Sequence, residues 1–202
     1  MNNIVYTIEH FLSEEEVEHL KQLILDNKEN FNPTTTMTNA ANYRQSSVLQ
    51  WDKYPRALFD SFKNKIYALI PEVCDRLVHP DFELDEDGFE SQITLSSDGD
   101  FYKTHNDNGS PEVRLRELTY VYYFHFEPKR FHGGELQVYV NDFADESLEL
   151  PDECSLFVPP THNMIVFFDS RRKHQVLPVR TASPAFEDAR FTVNGWIKRL
   201  NN

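Results

Sequence analysis

Three side chains in this 202-residue chain have the types and spacing of a metal site: His105 and Asp107, two apart, and His174 far downstream. In an extended strand, residues i and i+2 project from the same face, so an imidazole and a carboxylate at that spacing point at one spot. A distant histidine on a neighbouring strand completes a three-point face. Two histidines and one carboxylate leave coordination positions open, which suits Fe(II) that must also bind small molecules. Alone, this triplet also reads as a turn, because Asp107-Asn108-Gly109 is a turn signal. The neighbouring motifs have to decide.

Arg190 opens a stretch in which Arg190, Thr192, Asn194 and Trp196 share one face of a strand. A polar face in an otherwise apolar barrel is costly unless its groups meet a ligand. A planar guanidinium is suited to clamping a carboxylate bidentately; the alternative is pairing with a surface Asp or Glu. Residues 120–125 place Tyr120, Tyr122 and Phe124 on one face and Val121, Tyr123 and His125 on the other. Tyr123 is thereby a candidate to lend its hydroxyl to a ligand carboxylate. At Gly133-Gly134 the backbone must turn tightly or approach something closely.

The elements that would position these groups follow from periodicity. Residues 4–8 read as a short strand, and Ser13 with Glu16 forms a capping box opening a helix to about Asn27. Its apolar positions, Val17, Leu20, Leu23 and Ile24, fall on one face. A loop over 28–43 and a strand over 43–51 follow. A second helix is predicted over 55–77, its buried stripe Leu58, Phe62, Ile66, Leu69 and Ile70, with Pro71 kinking or splitting it. Residues 81–88 form an acidic surface connection. Strands are then predicted over 91–95, 101–105, 118–126, 135–139, 155–158, 164–168, 174–179 and 191–198. Many short strands with turn signals between them indicate a sandwich, barrel or jelly roll. Helices early and strands late predict two helices packed on one outer face of the sheet.

Composition narrows the function classes. The net charge of −13 argues against binding nucleic acid through phosphate neutralisation. Cys74 and Cys154 make no disulfide framework and no CxxC site, which fits a reducing cytosol. The start has no basic and apolar leader pattern and no apolar run reaches spanning length, so a cytoplasmic protein without a membrane segment is expected. The 16 Phe and 9 Tyr concentrate after position 100, as in a β-rich core or a lined pocket.

Six segments carry a resemblance: 99–107 (GDFYKTHND), 118–123 (LTYVYY), 131–136 (FHGGEL), 167–170 (FFDS), 174–179 (HQVLPV) and 190–196 (RFTVNGW). In this order they resemble the prolyl-4-hydroxylase-like Fe(II)/2-oxoglutarate dioxygenases, over roughly residues 90–198. The resemblance implies a double-stranded β-helix (a cupin-like jelly roll) over 89–200 with a helical N-terminal support over 1–88, one domain in all. It implies that His105, Asp107 and His174 ligate iron and that Arg190 pairs with the distal carboxylate of 2-oxoglutarate. Tyr123 and Asn194 match positions lining that pocket, Trp196 a position near the iron, and Tyr102 a pocket tyrosine of some relatives. Two departures stand out. Gln175 replaces a frequent Glu, and Arg190 falls late after His174, which leaves Arg180 as a rival carboxylate partner. Leu95 occupies a position where some prolyl hydroxylases carry a pocket tyrosine.

Rival ligands are His125, His132 and His162 in the barrel region, His132 foremost, and Asp169 as the alternative carboxylate. His10, His19 and His79, in the helical half, read as structural or exposed. The function implied is hydroxylation of an unactivated C–H bond with Fe(II), 2-oxoglutarate and O2, ascorbate serving as a possible reductant. Its substrate is a prolyl or other side chain in a peptide or protein, covered by the segments 28–45 and 108–116. The alternatives are a hydroxylase of a free amino acid or peptide natural product, a nucleic-acid demethylase disfavoured by the charge, and a non-catalytic metal-binding cupin-like barrel.

Overall fold

Helix α1 (Glu14–Asp26) starts where the capping box requires: Ser13 Oγ accepts from the Glu16 amide, and Glu16 Oε2 accepts from the Ser13 amide at 2.8 Å. It buries Val17, Leu20 and Ile24. The computed structural model describes residues 3–34, 43–50, 56–77, 79–140 and 155–201. Helix α2 (Arg56–Leu77) runs as one helix through Pro71, so of the two expected effects, a kink or a split, the split does not occur. Phe62 and Ile66 before the proline and Val73 and Cys74 after it are all buried. Packing on both sides holds the helix together across the single hydrogen bond that proline removes.

The strands are β1 (Tyr6–Glu9), β2 (Asn32–Pro33), β3 (Arg44–Gln45), β4 (Ser47–Leu49), β5 (Glu90–Ser96), β6 (Phe101–His105) and β7 (Arg116–Phe124). They continue as β8 (Phe131–Gly133), β9 (Leu136–Tyr139), β10 (Ser155–Val158), β11 (Met164–Asp169), β12 (His174–Val176), β13 (Val179–Thr181) and β14 (Arg190–Lys198). Among the described residues they form a large sheet ordered β1-β11-β7-β14-β5-β4-β2 and a small sheet ordered β10-β9-β12-β6-β3. Every pairing is antiparallel.

Side-chain parity sorts the large sheet into two faces. Tyr120, Tyr122, Phe124, Ile165, Phe167, Phe191 and Val193 meet Leu20, Ile24, Phe62 and Ile66 of the helices. Tyr123, Met164, Val166 and Phe168, on the opposite face, meet Leu136, Val138 and Val158 of the small sheet. Two sheets face to face with both helices on one outer side make the jelly roll expected from the sequence.

Two expected elements differ in detail. The strand over 43–51 is two: β3 pairs with β6 of the small sheet and β4 with β5 of the large one, so the chain changes sheets at Ser46. Trp51, residues 35–42 of the expected loop, and Cys154 lie outside the described residues. The strand over 174–179 is also two, β12 and β13. Pro178 has no amide to donate, and beyond it the chain leaves β9 and pairs with β8, which sequence reading missed.

Candidate metal centre and cosubstrate pocket

β6 and β12 bring His105 and His174 together as direct register partners, with ring centroids 4.2 Å apart. Each imidazole donates its Nδ1–H to a carbonyl two residues earlier: His105 to Lys103 at 2.8 Å, His174 to Arg172 at 2.9 Å. Each Nδ1–H is thereby committed, and both Nε2 atoms turn inward, 3.5 Å (His105) and 3.3 Å (His174) from the two carboxylate oxygens of Asp107. Burial alone would lower the His174 imidazole, but Asp107 outweighs it and raises it, so a metal bound here displaces a proton from that Nε2.

Asp107 stands just past the end of β6, so strand parity does not place it. Its amide donates to the carbonyl of Ser170 at 2.8 Å, pinning the turn after β6 to the turn after β11. Thr119 Oγ1 of β7 donates to Asp107 Oδ2 at 2.8 Å. That proton committed, the Ser170 hydroxyl donates to Thr119 across 2.9 Å. Burial alone would raise the Asp107 carboxyl; His174 and His105 outweigh it and hold the group well below the usual carboxylate range. Burial, with His174 beside it, pushes the His105 imidazole down and keeps it neutral. An ionised carboxylate and imidazole nitrogens within 4.8 Å of one another fit a divalent cation.

Tyr102 reaches this site through a bulge. His105 pairs with His174 but Tyr102 pairs with Val176, so three steps along β6 span two along β12. The extra residue brings Tyr102 onto the face of His105, where the rings stack at 3.6 Å and 19°. Lys103 and Thr104 between them are exposed. Thr104 Oγ1 donates to Gln175 Oε1, and Gln175 donates to Gln137 at 2.6 Å, so the glutamine that departs from the family pattern sits in a satisfied amide network.

The inner face of the large sheet is polar where β14, β5 and β7 meet. Thr192 pairs with Thr94 and Tyr123, and Asn194 with Gln92 and Val121. Arg190 is 3% exposed, and its guanidinium carbon lies 5.2 Å from the Tyr123 ring centre. Tyr123 Oη and Arg190 Nε are buried without a hydrogen-bond partner among the described residues, as are Gln92 Nε2 and Trp196 Nε1. Buried orphaned donors of this kind are costly unless a ligand satisfies them, and a carboxylate-bearing cosubstrate fits Arg190 and Tyr123. Asn194 Oδ1 already accepts from Thr94 at 2.6 Å and Thr192 at 3.4 Å, so it shapes the pocket wall. Gly134, at φ +71°, presses on Arg190: a Cβ there would lie 2.6 Å from Arg190 Cδ and 2.9 Å from Nε. Arg180, the rival, is exposed on β13.

Trp196 lies under Arg116, whose guanidinium carbon is 3.6 Å from the indole centre. Arg116 Nε donates to Glu90 Oε2 at 2.6 Å and Nη1 to the Asp107 carbonyl at 3.3 Å. Arg116 and Thr119 were missed in the sequence, although Thr119 shares the parity of Tyr123 on β7.

The other candidates lie apart from the triad. His132 is exposed. Asp169 is bound to Arg171 at 2.7 and 2.8 Å. His125, Glu127 and His162 also cluster within 4.8 Å. There, however, His162 Nδ1 accepts the His125 amide at 3.2 Å, which places the His162 proton on Nε2 and leaves neither nitrogen free.

The chain matches the profile of the 2OG-Fe(II) oxygenase superfamily over residues 91–198, and it belongs to that family. It is 40% identical over 195 residues to an uncharacterized PKHD-type hydroxylase of Synechocystis sp., covering 96% of this chain and 63% of that protein. Its fold is similar to a Pseudomonas putida prolyl-4-hydroxylase, with 22% identity, a TM-score of 0.69 and coverage of 98% and 94% of the two chains. It is also similar to a Trichoplax adhaerens prolyl hydroxylase in complex with a hypoxia inducible factor oxygen degradation domain peptide fragment. That structure has 19% identity, a TM-score of 0.71 and coverage of 98% and 84%. No described helix is long and apolar enough to cross a membrane.

Proposed function

We propose that the protein is a 2-oxoglutarate-dependent Fe(II) dioxygenase that hydroxylates an unactivated C–H bond, in a prolyl or other side chain of a peptide or protein. The observation that carries this reading is the pairing of an inward-facing two-histidine, one-carboxylate cluster with a buried arginine that has no carboxylate partner among the described residues. When bound, iron and 2-oxoglutarate supply the oxidising power: one oxygen atom of O2 goes to the substrate carbon, the other to succinate, with release of CO2.

The chain's own residues do the positioning. His105, Asp107 and His174 hold the metal, and the carbonyls of Lys103 and Arg172 fix the two imidazole tautomers. Thr119 and Ser170 orient the Asp107 carboxylate. Arg190 and Tyr123 take the distal carboxylate of 2-oxoglutarate, while Phe168, with its ring centre 4.7 Å from that of His174, keeps water from one side. Ascorbate is assigned as an auxiliary reductant. The compartment is the cytoplasm, consistent with Cys74 as a free thiol.

The test is incubation with Fe(II), 2-oxoglutarate, O2 and a library of proline-containing peptides. Succinate formation coupled to gain of one oxygen by a peptide supports the reading. Oxygen gain only on free amino acids moves the substrate class to the alternative hydroxylase, and no 2-oxoglutarate consumption with any substrate contradicts the reading.

A further inference from the structure

Arg44, like Arg190, has no carboxylate partner among the described residues, and it stands on the small-sheet side of the candidate metal centre. It lies on β3, paired in register with Tyr102 of β6, and its guanidinium carbon is 4.8 Å from the Tyr102 ring centre. Tyr102 in turn stacks on His105. Arg44 is therefore one ring away from a candidate ligand, close enough to feel the Asp107 charge.

Among the described residues its charge has no carboxylate partner. The chain has 33 acidic residues against 20 Lys and Arg, and Arg116, Arg171 and Arg199 each have a carboxylate within 3.0 Å. Among the described residues none lies within ion-pair distance of Arg44, whose Nε donates to Ser46 Oγ at 3.0 Å. Tyr102 is a neutral phenol at ordinary pH and supplies no counter-charge. Asp107 accepts from Thr119 and faces the two histidines. Burial has stripped enough water from the guanidinium to lower its basicity. A half-buried cation without a carboxylate partner among the described residues is costly unless something arrives to neutralise it.

We infer that Arg44 is the receptor for a carboxylate on the substrate, so that the bond oxidised lies close to an acidic side chain or to a terminal carboxylate. This rests on the functional reading above. With its Nε on Ser46 and its guanidinium carbon beside the Tyr102 ring, Arg44 keeps terminal N–H groups to offer a planar, two-oxygen anion. Arg190 anchors the cosubstrate from the large sheet, and Arg44 anchors the substrate from the rim of the small one. Two sources share this chemistry: the C-terminus of a peptide or free amino acid, and an Asp or Glu beside the residue oxidised.

The experiment titrates wild type, Arg44→Met and Arg44→Lys, each loaded with Mn(II) and 2-oxoglutarate, with matched probes by calorimetry. One pair is N-acetyl-L-proline and its carboxamide, the other acetyl-Pro-Asp-amide and acetyl-Pro-Asn-amide. A charge-assisted bidentate contact predicts that wild type prefers at least one carboxylate by about tenfold or more. Arg44→Met should lose that preference and Arg44→Lys keep part of it, with 2-oxoglutarate affinity within about twofold of wild type in both. The pair showing the preference identifies the source. The inference is overturned if wild type prefers neither carboxylate or if the preference survives in Arg44→Met. Loss of 2-oxoglutarate affinity in Arg44→Met also overturns it, because it assigns the cation to the cosubstrate. The same titrations with Mn(II) alone read the preference independently of the cosubstrate. Wild type that binds no 2-oxoglutarate, or an Arg190→Met variant that binds it normally, counts against the functional reading instead.

Discussion

Thr119 and Asp107 are joined by a 2.8 Å hydrogen bond that crosses from the large sheet to the turn beyond β6. A carboxylate outside any strand is thereby held opposite two histidines that a strand pair holds. Thr119→Val keeps the shape and removes the donor. Metal affinity should fall roughly 10- to 100-fold, read by competitive Mn(II) titration, with an unchanged circular dichroism spectrum. Unchanged affinity would show that the Asp107 amide bond to Ser170 suffices.

Gly134 is required by its approach to Arg190. Gly134→Ala places a methyl where the Arg190 side chain runs, at a backbone φ of +71° that L residues rarely adopt. 2-Oxoglutarate should bind about tenfold more weakly, and stability should fall by about 1–2 kcal/mol. Mn(II) affinity should hold. An equal loss of metal and cosubstrate binding would mean that the substitution disturbs the whole barrel.

Glu16 ties the two helices together: it caps α1 and meets Lys65 of α2 at 2.6 Å. Burial alone would raise its carboxyl, but Lys65 and Ser13 outweigh this and lower it to about 2. A folded value below the unfolded one contributes stability that is present above pH ~4.5 and lost as pH falls toward about 2. Glu16→Gln should therefore be less stable than wild type at neutral pH by about 1 kcal/mol. The gap should close in acid, as measured by urea unfolding across pH. A pH-independent gap would assign the effect to geometry.

Much of this architecture is legible in the residues. Alternation along β7 separates Tyr120 and Tyr122, which face the helices, from Tyr123, which faces the site, and Ser13 and Glu16 announce α1. What parity cannot show is a bulge. Tyr102 and His105 are three apart, which in a regular strand sets them on opposite faces, and only the extra residue against β12 stacks them. Arg44 carried no signal either, because its neighbourhood is made by a strand more than fifty residues away. Pro178 was visible, yet the change of partner it causes depends on where β8 lies.

Phe62 marks where the barrel depends on the helices. It is 1% exposed and its ring meets those of Phe11, Tyr120 and Tyr122. Phe62→Ala should cost about 3–5 kcal/mol, measured by denaturant unfolding. A cost below 1 kcal/mol would mean that the sheet stands without α2.

The most direct test of the account is anaerobic titration of the protein with Fe(II) and 2-oxoglutarate, watched for the visible metal-to-ligand charge-transfer band. Wild type should develop the band only with both present. His174→Ala should not develop it, and Arg190→Met should need at least about tenfold more 2-oxoglutarate. A folded, iron-loaded wild type without the band, or both variants matching wild type, would contradict the assignment of this site.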